Sequence, residues 1–210
     1  MRHNPAYETD DVRQLIRDYP FVTLVSTTST GIVASHYPVL LDETAPGIVL
    51  VGHVGRPDEE LHELGEHDVL VIVQGAHGYV SPSWYDHAGP AVPTWNFTVA
   101  HLHGRPELLS PQENFRELSR LVDHFEDGVA CPRRVHSGAA DAEYAQRIQH
   151  GTVGFRIPVQ RIEAKAKLSQ DKPPQTAKSV IAALETDGRY GNPDLARAMR
   201  TAYAGRASAK

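Results

Sequence analysis

The sequence predicts a mainly β protein: a small barrel with inserted and appended helices. Three observations carry that expectation. Residues 21–53 alternate β-rich runs with turn residues, "DVLVIVQG" is continuously apolar, and helical periodicity is confined to segments between and after the strands. Strands of one meander share a buried face, and helices placed between or after them cover what the sheet leaves open.

In chain order, "ETDDVRQLIRDYP" reads as a helix with Thr9 as N-cap and Asp10 and Asp11 in its first turn. Val12, Leu15 and Ile16 share one face, and Pro20 ends it. Runs 21–27, 31–41 and 47–53 follow as antiparallel strands, because Ser29–Gly31 and Asp42–Gly47 are turn chemistry. A short helix from Pro57 to about Gly65 has proline in its first turn and glycine beyond its end. "DVLVIVQG" has the unbroken apolarity of a strand buried on both faces. "YVSPSWYDHAGPAVPTWNF" is a Pro-, Gly- and aromatic-rich loop running into the strand "TVAHLHGRPELL". Residues 111–126 form an amphipathic helix through Phe115, Leu118, Leu121, Val122 and Phe125, and a further helix falls near 141–149. "TVGFRIPVQRIEAKAKLSQ" restores a strand, and 176–187 and 193–204 are helical. The expected organisation is a barrel over 1–160, with helices inserted at about 111–149, and a helical extension over 161–210.

A chain of 210 residues, 40% hydrophobic and 22% charged, has the composition of a soluble globule. With a net charge of −5, broad nucleic-acid binding through a basic surface has no compositional support. The basic stretch Arg197, Arg200, Arg206 and Lys210 reads as a solvated helix end. A single cysteine, Cys131, rules out an internal disulfide framework and suits a reducing cytosol. No apolar run approaches the ~20 residues of a membrane helix. The N-terminus lacks the apolar core of a signal peptide, so a cytoplasmic protein is expected.

Several constellations invite chemistry. "HELGEH" fails as a zinc-protease helix, since His62 and His67 are five apart with Gly65 between them, and it reads as a solvated helix face. His101 and His103 share one side of a strand without a third ligand, which suits a wet face or a subunit contact. Ser81 and Ser83 lack a nucleophile elbow. Cys131 precedes "PRR" and His136 in a connecting loop. "GHVGRPDEELHEL" has the form of an anion cradle at a helix start, but Asp58, Glu59 and Glu60 face one cation, Arg56. Tyr79, Trp84, Tyr85, Trp95 and Phe97 crowd into one Pro/Gly-rich segment that needs a cover: a partner, a flat cofactor or the protein's own core.

Six blocks, "STTSTGIVASHYPVLLD", "VGH", "VIVQGAHGYVSPSWY", "VPTWNFTVAHLHG", "GTVGFRIPV" and "KLSQDK", occur in an order and spacing that resembles the PaiB-like family of FMN-binding negative transcriptional regulators. The resemblance implies an α+β fold, the FMN-binding split β-barrel: a six-stranded Greek-key barrel that dimerises with its cofactor at the subunit interface. It also implies two occupations. Some members resemble DNA-binding regulators that hold FMN, or sensors without catalysis. Others resemble haem-dependent piperazate synthases, which cyclise N5-hydroxyornithine to L-piperazate by N–N bond formation with loss of water; this enzyme is the expected function, and the regulator or sensor is the alternative.

On the haem reading, haem b is the cofactor and His36 the axial ligand to iron, with His53 or His77 in reserve. His53, Arg56, Tyr79, Trp84, Trp95 and Asn96 are the implied cofactor-binding residues, and Tyr85, Lys167 and Gln170 the implied reactive groups. The amino-acid substrate and a homodimer follow from the same resemblance. FMN is the alternative cofactor. Arg56 matches a phosphate-binding position of the split-barrel flavoproteins, yet the carboxylates after it oppose a phosphate, which the helix dipole (~0.3–1 kcal/mol) does not offset.

Overall fold

Among the described residues, seven strands make one antiparallel sheet: β1 (Phe21–Thr28), β2 (Gly31–Leu41), β3 (Val49–Gly55), β4 (Val69–Val80), β5 (Thr94–Gly104), β6 (Glu107–Leu108) and β7 (Thr152–Lys167). Their order is β3-β2-β1-β4-β5-β7-β6, and β3 also pairs with β7, so six strands close a ring. The first three run as the expected meander. β3 then pairs with β7 rather than with the next strand, which is the Greek-key step. Among the same described residues, six α-helices accompany them: α1 (Val12–Asp18), α2 (Arg56–His62), α3 (Pro111–Glu126), α4 (Ala139–Ile148), α5 (Pro174–Glu185) and α6 (Pro193–Ser208). This computed structural model describes residues 7, 9, 11–86, 89–186 and 188–208. Asp10, Asp187 and Lys210, assigned above to helices, lie outside the described residues.

Alternation fixes the inside of the barrel. On β1, Val22, Leu24 and Ser26 are buried, while Phe21 points out and is 65% exposed. β4 departs from the sequence expectation. Val69, Val71 and Val73 are buried, but Leu70 and Ile72 between them are only partly covered. An antiparallel barrel strand has one inner face, so an apolar run here does not mean burial on both. Close approaches are made by glycine: a Cβ on Gly52 would stand 2.8 Å from the Phe155 ring.

Helix ends follow local chemistry. α1 starts at Val12, with the Asp11 N–H donating to Thr9 Oγ1 at 3.3 Å, so Thr9 precedes the helix by more than a cap position. α2 stops at Glu63 rather than Gly65. Glu63 takes the left-handed conformation (φ 45°), held there by carboxylate bonds from the Ser29 N–H at 3.0 and 3.1 Å. α3 matches its expected span and carries a capping box between Ser110 and Glu113.

The chain divides into two compact units: unit 1 is Met1–Val12, Gln74–Ala100 and Glu163–Lys210, and unit 2 is Arg13–Val73 and His101–Ile162. β4, β5 and β7 each contribute to both, and β7 is continuous across residue 160. Among the described residues no helix is long and apolar enough to cross a membrane.

Candidate functional site

In unit 1 the aromatic segment and the end of β7 fold onto α5 and α6. Trp95 and Asn96 are neighbours on β5 and so face opposite ways. Trp95 is 55% exposed, and its ring stacks on His77 with centroids 6.5 Å apart. Asn96 is fully buried and donates from Nδ2 to Ser169 Oγ at 2.9 Å. Ser169 sits in the left-handed region (φ 63°), and its carbonyl accepts from the Tyr203 hydroxyl. Lys167 donates to Thr94 Oγ1, and burial holds its ammonium below the usual lysine range. The Gln170 side chain is occupied by backbone, accepting from the Leu168 N–H at 2.6 Å and donating to the Ala166 carbonyl at 2.5 Å. The "TWNF" and "KLSQ" blocks therefore close on each other. Asn96 and Gln170 hold this turn together, Trp95 and His77 are exposed beside it, and Lys165 Nζ lies 5.6 Å from the Tyr7 ring centroid.

Lys165 Nζ lies 5.9 Å from the Phe97 ring centroid. Tyr79 packs between Trp84 (6.3 Å) and Tyr190 (5.1 Å), and Tyr85 lies partly buried near Lys172. His77 Nδ1 is 3.0 Å from the Gly75 carbonyl. A carbonyl only accepts, so Nδ1 carries a proton. Asn192, whose Oδ1 caps α6 by accepting from the Leu195 N–H at 3.0 Å, donates to the His77 carbonyl at 2.9 Å.

The remaining predicted residues belong to unit 2. His36 is exposed on β2 and stacks on Phe21 at 6.0 Å. Its ring partner Phe21 is itself 65% exposed, so within one chain His36 stands on an open face. His53 is half-buried in a narrow cleft with Leu118 and Leu121 of α3, and burial lowers its pKa. Arg56 is committed: Nε donates to the His150 carbonyl at 2.7 Å, and Nη1 is 3.7 Å from Glu59. Asp58 accepts from the Tyr37 hydroxyl at 2.9 Å, and burial pushes that phenol up to about 12. The start of α2 therefore does not fit a phosphate.

His62 corrects the reading of "HELGEH" as a solvated face. It is 0% exposed, inside the barrel, with Nδ1 2.8 Å from Ser26 Oγ and Nε2 2.9 Å from Ser35 Oγ. Tyr37 packs edge-on against it at 6.2 Å. α2 is seven residues long and its last residue is buried, a placement that depends on serines far away in sequence. His67 pairs with Glu63 at 3.1 Å. His103 meets Arg161 at 3.0 Å on a partly open face, and Cys131 is exposed. Ser81 caps a 3-10 turn, Pro82–Trp84, accepting from the Ser83 N–H at 3.2 Å.

Two buried histidines give a pH dependence with a definite sign. His53 and His62 both have folded pKa values lowered by burial, which Asp58 partly opposes at His62. Between the folded and unfolded values the unfolded chain binds more protons, so stability rises with pH there. Their contribution is complete above the unfolded value of about 6.5 and is lost as pH falls through the folded values. Thermal melts from neutral to acid should show this loss, and His53→Gln should flatten it. An unchanged slope in that variant would remove His53 from the account.

Comparison with known proteins follows this geometry. The family model described as "Putative FMN-binding domain" matches residues 1–161. The protease synthase and sporulation protein PAI 2 of Bacillus subtilis is 29% identical over 192 residues, covering 90% of each chain. Among solved structures, the FAD and heme binding protein from Mycobacterium smegmatis aligns with TM-score 0.55 at 19% identity, over 84% of this chain and 78% of that one. The flavocytochrome Anf3 from Azotobacter vinelandii aligns with TM-score 0.53 at 16% identity, over 75% and 67%. These two establish a shared split-barrel fold.

Proposed function

The chain belongs to the family of the "Putative FMN-binding domain", and from that premise we propose that it is a PaiB-like regulator or sensor that binds FMN on the outer surface of unit 1. The observation that carries this reading is the exposed Trp95–His77 stack, with Lys165 over Phe97 on the same strand face. An isoalloxazine ring is flat and π-rich, and FMN is anionic. An aromatic platform beside an ammonium answers both properties. When bound, FMN supplies redox chemistry. Trp95 would stack on the ring and Lys165 would meet negative charge, while the buried Asn96–Ser169 bond ties β5 to the turn that follows β7.

The protein works as a cytoplasmic homodimer on this reading, and exposed Phe21 and Ile32 (65% and 79%) support a covered face in the dimer. In a flavin-fluorescence titration, Trp95→Ala should weaken FMN binding about tenfold, the equivalent of one lost stacking contact of about 1.4 kcal/mol. Lys165→Gln should weaken it less and remove part of its salt dependence. Wild-type affinity in Trp95→Ala would take the flavin away from this surface.

One observation favours a second reading, haem with a piperazate-synthase-like activity on an amino-acid substrate. The His77 Nδ1–H bond to the Gly75 carbonyl resembles the way iron-ligating histidines donate their non-ligating N–H to a backbone carbonyl. Lys167, made more acidic by burial, would serve as the proton donor in that reaction. A haem titration of His77→Ala separates the readings: loss of the Soret change supports haem at His77, and no Soret change in the wild type removes this reading.

A further inference from the structure

We propose that Tyr7 gates the Lys165 end of the unit 1 surface, covering the ammonium until the anionic group of a ligand displaces the phenol. The ligand's identity rests on the FMN reading; the gate itself rests on contacts within this chain.

Lys165 Nζ stands within reach of two rings, 5.6 Å from the Tyr7 centroid and 5.9 Å from that of Phe97. Both distances fall inside the ~6 Å range of a cation–π contact. A phosphate oxygen has to come within about 2.9 Å of the same nitrogen, into space that a ring beside it crowds. Phe97 is built into β5, whereas Tyr7 reaches Lys165 from ahead of α1. The phenol has a second anchor, since its hydroxyl is bonded to the Asp171 carboxylate. Burial, with that carboxylate nearby, holds the phenol above the usual tyrosine range, so the hydroxyl keeps its proton and donates.

Opening the gate leaves the rest in place. Lys165 lies on β7. The turn after it is tied by the Lys172 N–H to the Ser169 carbonyl at 3.0 Å, and by the buried Asn96–Ser169 bond. Asp171 is 3.2 Å from Lys172 Nζ with its side chain 44% exposed, so losing the phenol does not strand the carboxylate. Tyr7 is only partly buried, and a ring contact and a hydroxyl bond join it to this frame. Contacts of that kind favour the covered state yet can be exchanged for a charge-assisted bond to phosphate.

A ligand that needs the open state binds more weakly by the fraction of molecules that are open. That reduction falls only on ligands that use Lys165. FMN carries a phosphate, and riboflavin has the same ring system without one. Tyr7 therefore narrows the advantage of FMN over riboflavin, and so sets how far the surface discriminates between them.

The test uses the whole protein in two measurements. In the first, without flavin, N-hydroxysuccinimidyl acetate labels the lysines and mass spectrometry follows Lys165, with exposed Lys178 as internal control. Tyr7→Ala should speed Lys165 labelling about threefold, the loss of an exposed cation–π cover, and leave Lys178 unchanged. Tyr7→Phe keeps the ring, loses the hydroxyl bond, and should fall between. In the second, fluorescence titrations should show Tyr7→Ala tightening FMN by about three- to tenfold with riboflavin unchanged. An unchanged Lys165 rate in Tyr7→Ala overturns the gate whatever the flavins do. Weaker FMN binding in that variant also overturns it, because Tyr7 would then belong to the ligand's own surface. Faster Lys165 labelling with neither flavin bound supports the cover at Lys165 and removes the FMN reading instead.

Discussion

Replacing His62 by alanine should lower stability by about 3 kcal/mol, shifting the melting midpoint by about 6–12 °C for a chain of this size. Two effects add. The ring fills the barrel interior against Tyr37, and its removal leaves a cavity there. It also satisfies Ser26 Oγ at 2.8 Å, and Ser26 is 0% exposed, so its hydroxyl would be stranded. Ser35 Oγ, at 2.9 Å from the other nitrogen, is on a partly exposed residue and finds water instead. A double-mutant cycle isolates the bond. Once His62 is gone, Ser26→Ala should cost little or even stabilise, because it removes the orphan. Urea denaturation of the four proteins measures this. A His62→Ala cost below about 0.5 kcal/mol, the size of an ordinary surface change, would mean that the histidine does not occupy the interior.

Gly104→Ala should be at least as damaging, through the backbone. A Cβ there would lie 2.3 Å from the Pro158 carbonyl oxygen and 2.8 Å from Ile157 Cγ2. The isoleucine can adjust its rotamer, but the carbonyl belongs to β7 and moves only with the strand. β5 and β7 are neighbours in the closed ring, so separating them loosens the closure. A loss of about 3–4 kcal/mol, or failure to fold, is the expected outcome, within the range of severe overpacking. Gly31→Ala is the informative control. Gly31 has φ 129° with open space around it, so alanine there brings backbone strain of about 1 kcal/mol and no clash. Similar melting points for the two variants would contradict the close approach at Gly104.

The strands and helices were readable because their signals are local: β-rich runs between turn residues, Pro57 at the start of α2, apolar spacing in α3. What was not readable depends on distant partners. "HELGEH" looks like a surface helix until Ser26 and Ser35, brought together on β1 and β2, surround His62. Asn96 and Ser169 are 73 residues apart, so two blocks that looked like candidate chemistry prove to bond each other. The stop of α2 at Glu63 rather than Gly65 rests on Ser29, beyond any local pattern. Trp95 and Asn96 differ for a local reason: neighbours on a strand face opposite ways, which sets an exposed ring beside a buried amide.

The central claim is that unit 1 offers a flavin platform at Trp95. Purified protein is stripped of small molecules, mixed with equimolar FMN, desalted, and its visible spectrum and tryptophan fluorescence recorded. The account predicts retained flavin absorption and quenched tryptophan emission in the wild type, both lost in Trp95→Ala. A wild type that leaves desalting without flavin, yet takes up haem with a Soret band that His77→Ala abolishes, would contradict it.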